Sequence, residues 1–231
     1  MALRLASRRD GNFPVIRGLQ FGEDGAFAPL LVCVNLQNET APIAQADAAA
    51  RAALERCAAL LAHWRVQRWP VAHLRRIARP SWFDPQRNPM DWTAGFRPRP
   101  GELTFEHALP SAFSSRRFAE YVRNVRPSPN FLIGCSLDQT VLATAIDGYH
   151  RGHQFHVVED AVLCAARASG HDAKVPDAKV RGAPAAHLKS VLHIVEIFGE
   201  RVRSEAVITP HPHPMSRSAL AASSRGGRSK Q

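Results

Sequence analysis

The sequence predicts an α/β protein, a three-layer αβα sandwich with a mostly parallel central sheet. Short apolar runs alternate along the chain with longer helical segments, which is typical of βαβ units and of a sheet covered on both faces. The first apolar run is continuous, as in strands that are buried on both sides. The chain has 231 residues, 45% of them hydrophobic, which is enough for one sizeable core.

The first predicted strand is the apolar run PLLVCVNLQNE at 29–39, which ends in polar residues. A buried strand of this kind opens a site at its carboxyl end. The segment 43–67 is rich in Ala and Leu with apolar residues at helical spacing, and Asp47 in its first turn favours a helix. A second short strand at 69–76 carries His73 near its end.

The connection 77–102 is rich in Pro, Trp, Arg and Asp and shows no regular pattern. A loop of this length in a compact domain is usually functional. Its aromatic side chains are therefore candidates for a pocket or a dimer face, and packing of the loop on its own scaffold is the alternative. These residues are Trp82, Phe83, Trp92 and Phe96.

The second half of the chain continues the alternation. Its predicted elements are an extended piece at 103–113, a serine-capped helix at 114–125, a strand at 130–134, a helix at 138–152, a strand at 154–160, a helical segment after Asp160, a helix at 184–200 and a last strand at 204–209. Ligands of parallel sheets bind beyond the carboxyl ends of the strands. We therefore expect a site near Asn35, near the loop after His73 and near the turn from Gly134 to Thr140.

Composition predicts one domain with two extensions. We assign residues 1–28 to an irregular arm, 29–209 to the domain and 210–231 to a disordered basic tail. The tail carries four basic residues and no acid, so it accounts for four of the formal net charge of +10. The other basic residues are scattered without interleaved aromatic residues, which favours a solvated basic surface over nucleic-acid binding.

Several further classes of protein are disfavoured by the sequence. No apolar run reaches the ~18 residues of a membrane span, and the N-terminus lacks an apolar signal region. We therefore predict a cytoplasmic protein without membrane contact. The cysteines stand singly, which indicates free thiols and neither a zinc site nor a disulfide framework. The absence of GxGxxG and GxxxxGK[ST] motifs predicts no nucleotide cofactor.

Three fragments, taken in order, resemble the isochorismatase-like cysteine hydrolases. LLVCVNLQNE is similar to the family's first strand, which ends in Asp-x-Gln-Asn. RPRPGELTFEHALPSAFSS resembles the middle segment, where Pro-x-x-Gly-Glu precedes a lysine and then Ser-Ala-Phe. LIGCSLDQTVLATAIDGYHRGHQFHVVEDA is similar to the nucleophile segment. In the family, that segment contains Cys-Val, then Thr-Ala and Gly-Tyr, and leads into a strand ending in Asp-Ala. The resemblance covers 29–161.

The resemblance implies a catalytic Asp, Lys and Cys, and these positions fall on Asn35, His107 and Thr140. It also implies an oxyanion site formed by the backbone N–H groups of Gln139 and Thr140. An asparagine has no carboxylate and cannot act as a general base at neutral pH. A threonine hydroxyl is far less acidic than a thiol and needs a strong base nearby. The family's cysteine chemistry therefore cannot run in this chain.

Two hypotheses about function follow. In the first, the chain is an inactive pseudo-hydrolase whose fold serves small-ligand binding or assembly. In the second, it is an enzyme that hydrolyses amide-type C–N bonds of a small molecule. Thr140 would then be the nucleophile, His107 the base and Asn35 the orienting group, by the logic of Ser-His-Asp sites.

The resemblance carries three further expectations. Nicotinamidase-type relatives bind a metal through an Asp-x-His motif, and the sequence HLRR at that place predicts no metal and no cofactor here. His73 is a pocket candidate, with a hydrogen-bonded core position as the alternative. Family relatives commonly form dimers or tetramers, so a homo-oligomer is implied.

Overall fold

The computed structural model describes residues 28–40, 44–45, 47–77, 91–124, 129–164 and 185–208. The strands are β1 (Leu30–Val34), β2 (Val71–Arg76), β3 (Leu103–His107), β4 (Asn130–Cys135), β5 (Phe155–Leu163) and β6 (Glu200–Val202). The helices are α1 (Ala48–Gln67), α2 (Arg116–Asn124), α3 (Leu142–His150), α4 (Ala185–Phe198) and α5 (Ser204–Ile208). A π-turn at Leu137–Val141 leads from β4 into α3.

The six strands form one sheet in the order β3-β2-β1-β4-β5-β6, and all neighbouring pairs are parallel. The predicted fold class is therefore confirmed. The order of the strands reverses between β1 and β4, which are hydrogen-bonded neighbours. In doubly wound sheets such a reversal opens a crevice at the carboxyl ends of the two strands, and ligands bind there.

Helices cover both faces of the sheet. Leu30, Val32 and Val34 of β1 point to the face that is packed by α2, α3 and α4. Leu31 and Cys33 point to the opposite face, where α1 and α5 pack. Both sets are fully buried, which explains why β1 reads as a continuous apolar run.

Helix α1 begins where the sequence provides a cap. The Asp47 carboxylate accepts a hydrogen bond from the Ala49 N–H at 2.8 Å, which satisfies one of the free donors of the first turn. The helix ends at Arg68, whose φ of 56° is left-handed. Trp64, on the buried side of α1, donates its indole N–H to the Pro29 carbonyl at 2.9 Å and so fixes the helix against the start of β1.

Two predicted elements were wrong. The segment 204–209 was predicted as the last strand, but it contains helix α5, and the last strand is β6 just before it. The Ser204 N–H and hydroxyl both donate to the Asp160 carboxylate, at 2.8 and 2.7 Å, and this contact turns the chain into a helix. The helical segment predicted directly after Asp160 was also wrong at its start, because β5 continues to Leu163.

Some predictions concern residues that lie outside the described ones. These are residues 1–27 of the arm predicted at 1–28, the tail at 210–231, and the pocket candidates Trp82 and Phe83. Within the described segments, no helix has the length and apolar character that crossing a bilayer requires.

Gly134 allows β1 and β4 to approach each other at the reversal point. Its φ is 113°, a region that other residues rarely adopt. A Cβ at this position would lie 2.2 Å from the Val34 carbonyl oxygen of the neighbouring strand. The constraint comes from backbone on both sides, so no side-chain movement can relieve it.

We expect the substitution Gly134→Ala to lower the free energy of unfolding by about 3 kcal/mol or more, since it adds a backbone clash to an unfavourable φ. Chemical denaturation would measure the loss. Gly95→Ala is the matched control, because Gly95 also has a positive φ (89°) but has nothing within 4 Å of its added Cβ. The control should lose roughly 1 kcal/mol. Equal losses for the two variants would contradict a close approach of the strands at Gly134.

Candidate functional site

Three strand ends bring together, at the carboxyl edge of the sheet, the positions that the resemblance assigns to a triad. Asn35 directly follows β1, His107 is the last residue of β3, and Thr140 lies on the π-turn after β4. The Asn35 backbone has a φ of 46°, in the left-handed region that asparagine tolerates better than most residues. Its N–H donates to the Leu74 carbonyl of β2 at 3.0 Å, so the chain turns while still attached to the sheet.

The three side chains form one hydrogen-bonded chain with Asn35 in the middle. Asn35 Oδ1 lies 2.8 Å from His107 Nε2, and Asn35 Nδ2 lies 3.1 Å from Thr140 Oγ1. At the far end, His107 Nδ1 lies 2.8 Å from the Leu109 carbonyl oxygen. The three residues are 2%, 2% and 3% exposed, so the chain is buried along its length.

The protonation state of His107 decides the direction of these bonds. The Leu109 carbonyl can only accept, so His107 Nδ1 carries a proton. Burial lowers the pKa of His107 and the nearby Arg76 lowers it further, against the opposing effect of the Leu109 carbonyl. The ring is therefore neutral at pH 7, and its Nε2 is an acceptor.

A neutral ring fixes the orientation of the Asn35 amide. Nε2 then accepts from the amide NH2 group, and the amide oxygen faces Thr140 and accepts from its hydroxyl. The oxygen and nitrogen of an asparagine amide are nearly alike in shape. Exchanging Oδ1 and Nδ2 therefore leaves the atom positions and the two hydrogen-bond distances unchanged. The hydroxyl proton of Thr140 thus points to an amide oxygen, which is not a base at neutral pH.

The loop after β3 is held against α3 by a second threonine. The Thr144 hydroxyl, fully buried one turn after Thr140, accepts from the Ala112 N–H at 3.0 Å. This bond keeps the segment that follows His107 next to the π-turn. The Gln139 N–H donates to the Ser136 carbonyl at 3.3 Å. One of the two predicted oxyanion donors is therefore already engaged within the turn.

Gln37, which the sequence analysis passed over, ties the ends of β1 and β2 together. Its Oε1 accepts from the Arg76 N–H at 2.8 Å, and its Nε2 donates to the Arg76 carbonyl at 3.2 Å. The signal was present in the polar end of the first apolar run, where an amide side chain follows a buried strand. The segment beginning at Asp91 is fixed to the same place, since the Thr93 N–H donates to the Leu36 carbonyl at 3.0 Å.

His73 belongs to a separate ionic cluster on the α1 face of the sheet. The ring is fully buried, and its Nε2 donates to the Glu102 carboxylate at 2.8 Å. Arg65 of α1 binds both oxygens of the same carboxylate, at 2.7 and 3.0 Å. Burial lowers the pKa of His73 more than Glu102 raises it, so the ring is neutral. Burial disfavours ionisation of Glu102, but bonds from Arg65, the Arg99 N–H and His73 together lower the pKa of Glu102 to about 2.

The two described aromatic candidates of the long loop pack on the scaffold. Phe96 is 3% exposed and belongs to the core on the α1 face. Trp92 is half-buried, with its ring edge-on to His73 at 5.5 Å between centroids, and it pairs with Gln37 through a backbone bridge. These contacts are the ones expected if the loop packs on its own scaffold, which is the alternative to a pocket or a dimer face.

We expect the stability of the protein to fall as the pH drops through about 6.5, the usual pKa of histidine. The folded-state pKa of His107 is lowered, so the unfolded chain takes up the proton more readily, and stability that is present above pH 6.5 is lost below it. Denaturation between pH 8 and pH 5 would measure the slope, and His107→Gln should reduce it. His73 shifts in the same direction, so part of the slope should remain.

The control for this measurement is His193→Gln, since the His193 side chain is 81% exposed on α4. It should leave the slope unchanged. A slope that His107→Gln leaves unaltered would mean that His107 is not held neutral in the folded protein.

We expect Glu102→Gln to cost about 2 to 3 kcal/mol of unfolding free energy, because Arg65 and His73 both lose a charged acceptor in a nearly buried site. The matched control is Glu120→Gln, which breaks the exposed Arg116–Glu120 pair on α2 and should cause no measurable change. Thermal and chemical denaturation of both variants would test this. Similar small effects would show that the cluster contributes no more than a surface pair.

Comparison with known proteins agrees with this geometry. An isochorismatase from Pseudomonas putida KT2440 is similar in structure, with 21% identity, a TM-score of 0.61, and coverage of 78% of this chain and 89% of that one. A cysteine hydrolase from Pseudomonas syringae pv. phaseolicola has 19% identity, a TM-score of 0.54, and coverage of 78% and 91%. An isochorismatase family protein from Burkholderia thailandensis has 16% identity, a TM-score of 0.58, and coverage of 78% and 94%.

At these identities the likeness to solved structures establishes the fold. A comparison with curated protein sequences finds no match. The family model of the Isochorismatase domain matches residues 29–189, which is well over half of the chain. The chain therefore belongs to the isochorismatase family.

Proposed function

We propose that this chain is a pseudo-hydrolase, an isochorismatase-family protein that keeps the hydrolase fold for binding a small ligand or for assembly. One observation carries the proposal. Asn35 lies between His107 and Thr140 and hydrogen-bonds to both. The three positions that relatives use for chemistry are joined here into a neutral, buried chain.

Each of the three groups that the family mechanism uses is missing from this arrangement. There is no carboxylate at Asn35 to accept a proton, no ammonium at His107 and no thiol at Thr140. A base for Thr140 would have to contact its hydroxyl. In the part of the chain that the structure describes, the Thr140 hydroxyl bonds to Asn35, and no hydrogen bond joins it to the His107 ring.

The alternative enzyme would need a proton to cross the Asn35 amide. Thr140 would have to pass its proton to the amide oxygen while the amide NH2 group passes one to His107. An amide nitrogen does not give up a proton near pH 7, so the amide acts as an insulator between nucleophile and base. This order of contacts favours the pseudo-hydrolase over a Thr-His-Asn hydrolase.

Cys33 and Cys57 offer no substitute nucleophile. Burial raises the pKa of Cys33, and burial also raises the pKa of Cys57, so both thiols stay protonated. Both are fully buried, and the Cys57 thiol donates to the Ala161 carbonyl. The thiolate is the reactive form of cysteine, so these side chains are core residues.

Family membership supports the rest of the proposal. Doubly wound sheets bind small molecules where the order of the strands reverses, which in this chain is between β1 and β4. The homo-oligomer and the cytoplasmic location stay predictions, which rest on the family resemblance and on the composition of the chain.

The test compares the wild type with a variant in which Asn35→Asp, His107→Lys and Thr140→Cys are combined. We expect the wild type to release no amine or ammonia from a panel of small amides. The introduced thiol should react with iodoacetamide at least about tenfold faster in the triple variant than in Thr140→Cys alone, because a lowered thiol pKa raises the thiolate fraction. Circular dichroism would confirm that both variants fold.

The Thr-His-Asn hydrolase would be supported if the wild type turned over an amide and both Thr140→Ala and His107→Ala lost this turnover. Thr104→Ala is the matched control, since Thr104 is a partly buried threonine on β3 outside the hydrogen-bonded chain. Turnover lost in the two site variants and kept in the control would refute the pseudo-hydrolase. Turnover kept in all three variants would point to a contaminating enzyme and leave the chain itself inactive.

A further inference from the structure

A thiol, an imidazole and a carboxylate converge at the carboxyl edge of the sheet, beside β5. Asp138 lies on the π-turn after β4, Cys164 directly follows β5, and His187 lies in the first turn of α4. One ligand atom of each residue lies within 4.8 Å of those of the other two. Because β4 and β5 are parallel neighbours, with Cys135 opposite Leu163, their ends carry Asp138 and Cys164 to adjacent places.

We propose that Asp138, Cys164 and His187 bind a zinc ion. Cysteine, histidine and aspartate are the side chains that zinc uses in proteins, and three of them with one open position are typical of sites that keep a bound water. A thiolate ligand disfavours hard cations such as Mg²⁺. The inference goes beyond the proposed function and does not depend on it.

The spacing suits a tetrahedral ion after a small movement of one side chain. Ligand atoms around a tetrahedral zinc lie roughly 3.3 to 3.6 Å apart, given the usual bond lengths. Asp138 Oδ2 and His187 Nε2 are already 3.4 Å apart. The His187 side chain is 46% exposed, so it can adjust its distances to the other two ligand atoms without disturbing the core.

The surroundings orient the carboxylate and hold the thiol. The Ser136 hydroxyl donates to Oδ1 of Asp138, so Oδ2 is left facing His187. Partners of this kind fix a ligand before the metal arrives. The backbone N–H groups of Asp138 and Leu137 hydrogen-bond to the Cys164 sulfur. Metal binding releases the proton of a cysteine ligand, so a cation would take that proton's place beside the carboxylate.

The cluster differs from the metal site that the sequence analysis considered. The expectation of no metal rested on the missing Asp-x-His motif near His73 and, for zinc, on cysteines that stand singly in the sequence. That ring is buried against Glu102 on the α1 face. The proposed ligands come from three elements that are separate in sequence, so no short sequence motif contains all three.

The experiment uses the full chain, treated with a chelator, dialysed and then titrated with Co²⁺, the spectroscopic substitute for zinc. We expect one equivalent to bind with a thiolate-to-cobalt absorption band, and Zn²⁺ to displace it. Cys164→Ser should abolish the band. His187→Gln should weaken Zn²⁺ binding, measured by competition, by at least about tenfold. His193→Gln, an exposed histidine on the same helix, is the control and should bind as the wild type does.

Three results would overturn the proposal: no binding, binding without the thiolate band, or an affinity of His187→Gln equal to that of His193→Gln. Since His187 is on the surface, its variant should fold even if the buried Cys164→Ser does not. Circular dichroism of both variants would establish this, and the His187 comparison then decides alone.

Discussion

The Asn35 amide is the group on which the carboxyl edge of the sheet depends, because it is the only described side chain that bonds to both His107 and Thr140. An amide can donate at one end and accept at the other, so it joins a ring nitrogen to a hydroxyl without any charge. A carboxylate at the same place could only accept, and it would draw a proton onto the ring. The neutral group thus fits the 2 to 3% exposure of the three residues, where an unpaired charge would be costly.

Ion-paired groups lie apart from this hydrogen-bonded chain, on the α1 face of the sheet. The neutral chain lies at the reversal point of the sheet, while the ion pair of Arg65 with Glu102 lies on the α1 face together with His73. There the carboxylate has four donors, which is enough to stabilise its charge near the core. Near the neutral chain, Gln37 bonds to the Arg76 backbone at the end of β2 and pairs with the segment that carries Trp92. Neutral polar bonds therefore hold the described ends of β1, β2 and β3 in place.

The sequence was sufficient for the fold and for placing Asn35 and Thr140 at one edge of the sheet, since parallel strands have their carboxyl ends on the same edge. His107 entered through the family resemblance, because the extended piece predicted at 103–113 did not end at this residue. The order of the three residues along the hydrogen-bonded chain could not be predicted, because it depends on side-chain reach and on the left-handed turn at Asn35. The strand predicted over α5 failed for a related reason. The bond of Ser204 to Asp160 joins residues far apart in sequence, and it overrides a locally strand-like pattern.

The π-turn at Leu137–Val141 carries the two most informative side chains of this edge in opposite environments. Thr140 faces the end of β1 and is buried in the neutral chain, whereas Asp138 faces the end of β5 and is partly exposed beside Cys164 and His187. The turn therefore has its hydroxyl held by an amide on one side and presents a carboxylate to Cys164 and His187 on the other. Because the residues are two apart in one short turn, a ligand that shifts Asp138 would also shift Thr140. Of the two sides of this turn, the β5 side is the one whose polar groups, Asp138 and His187, are partly or largely exposed.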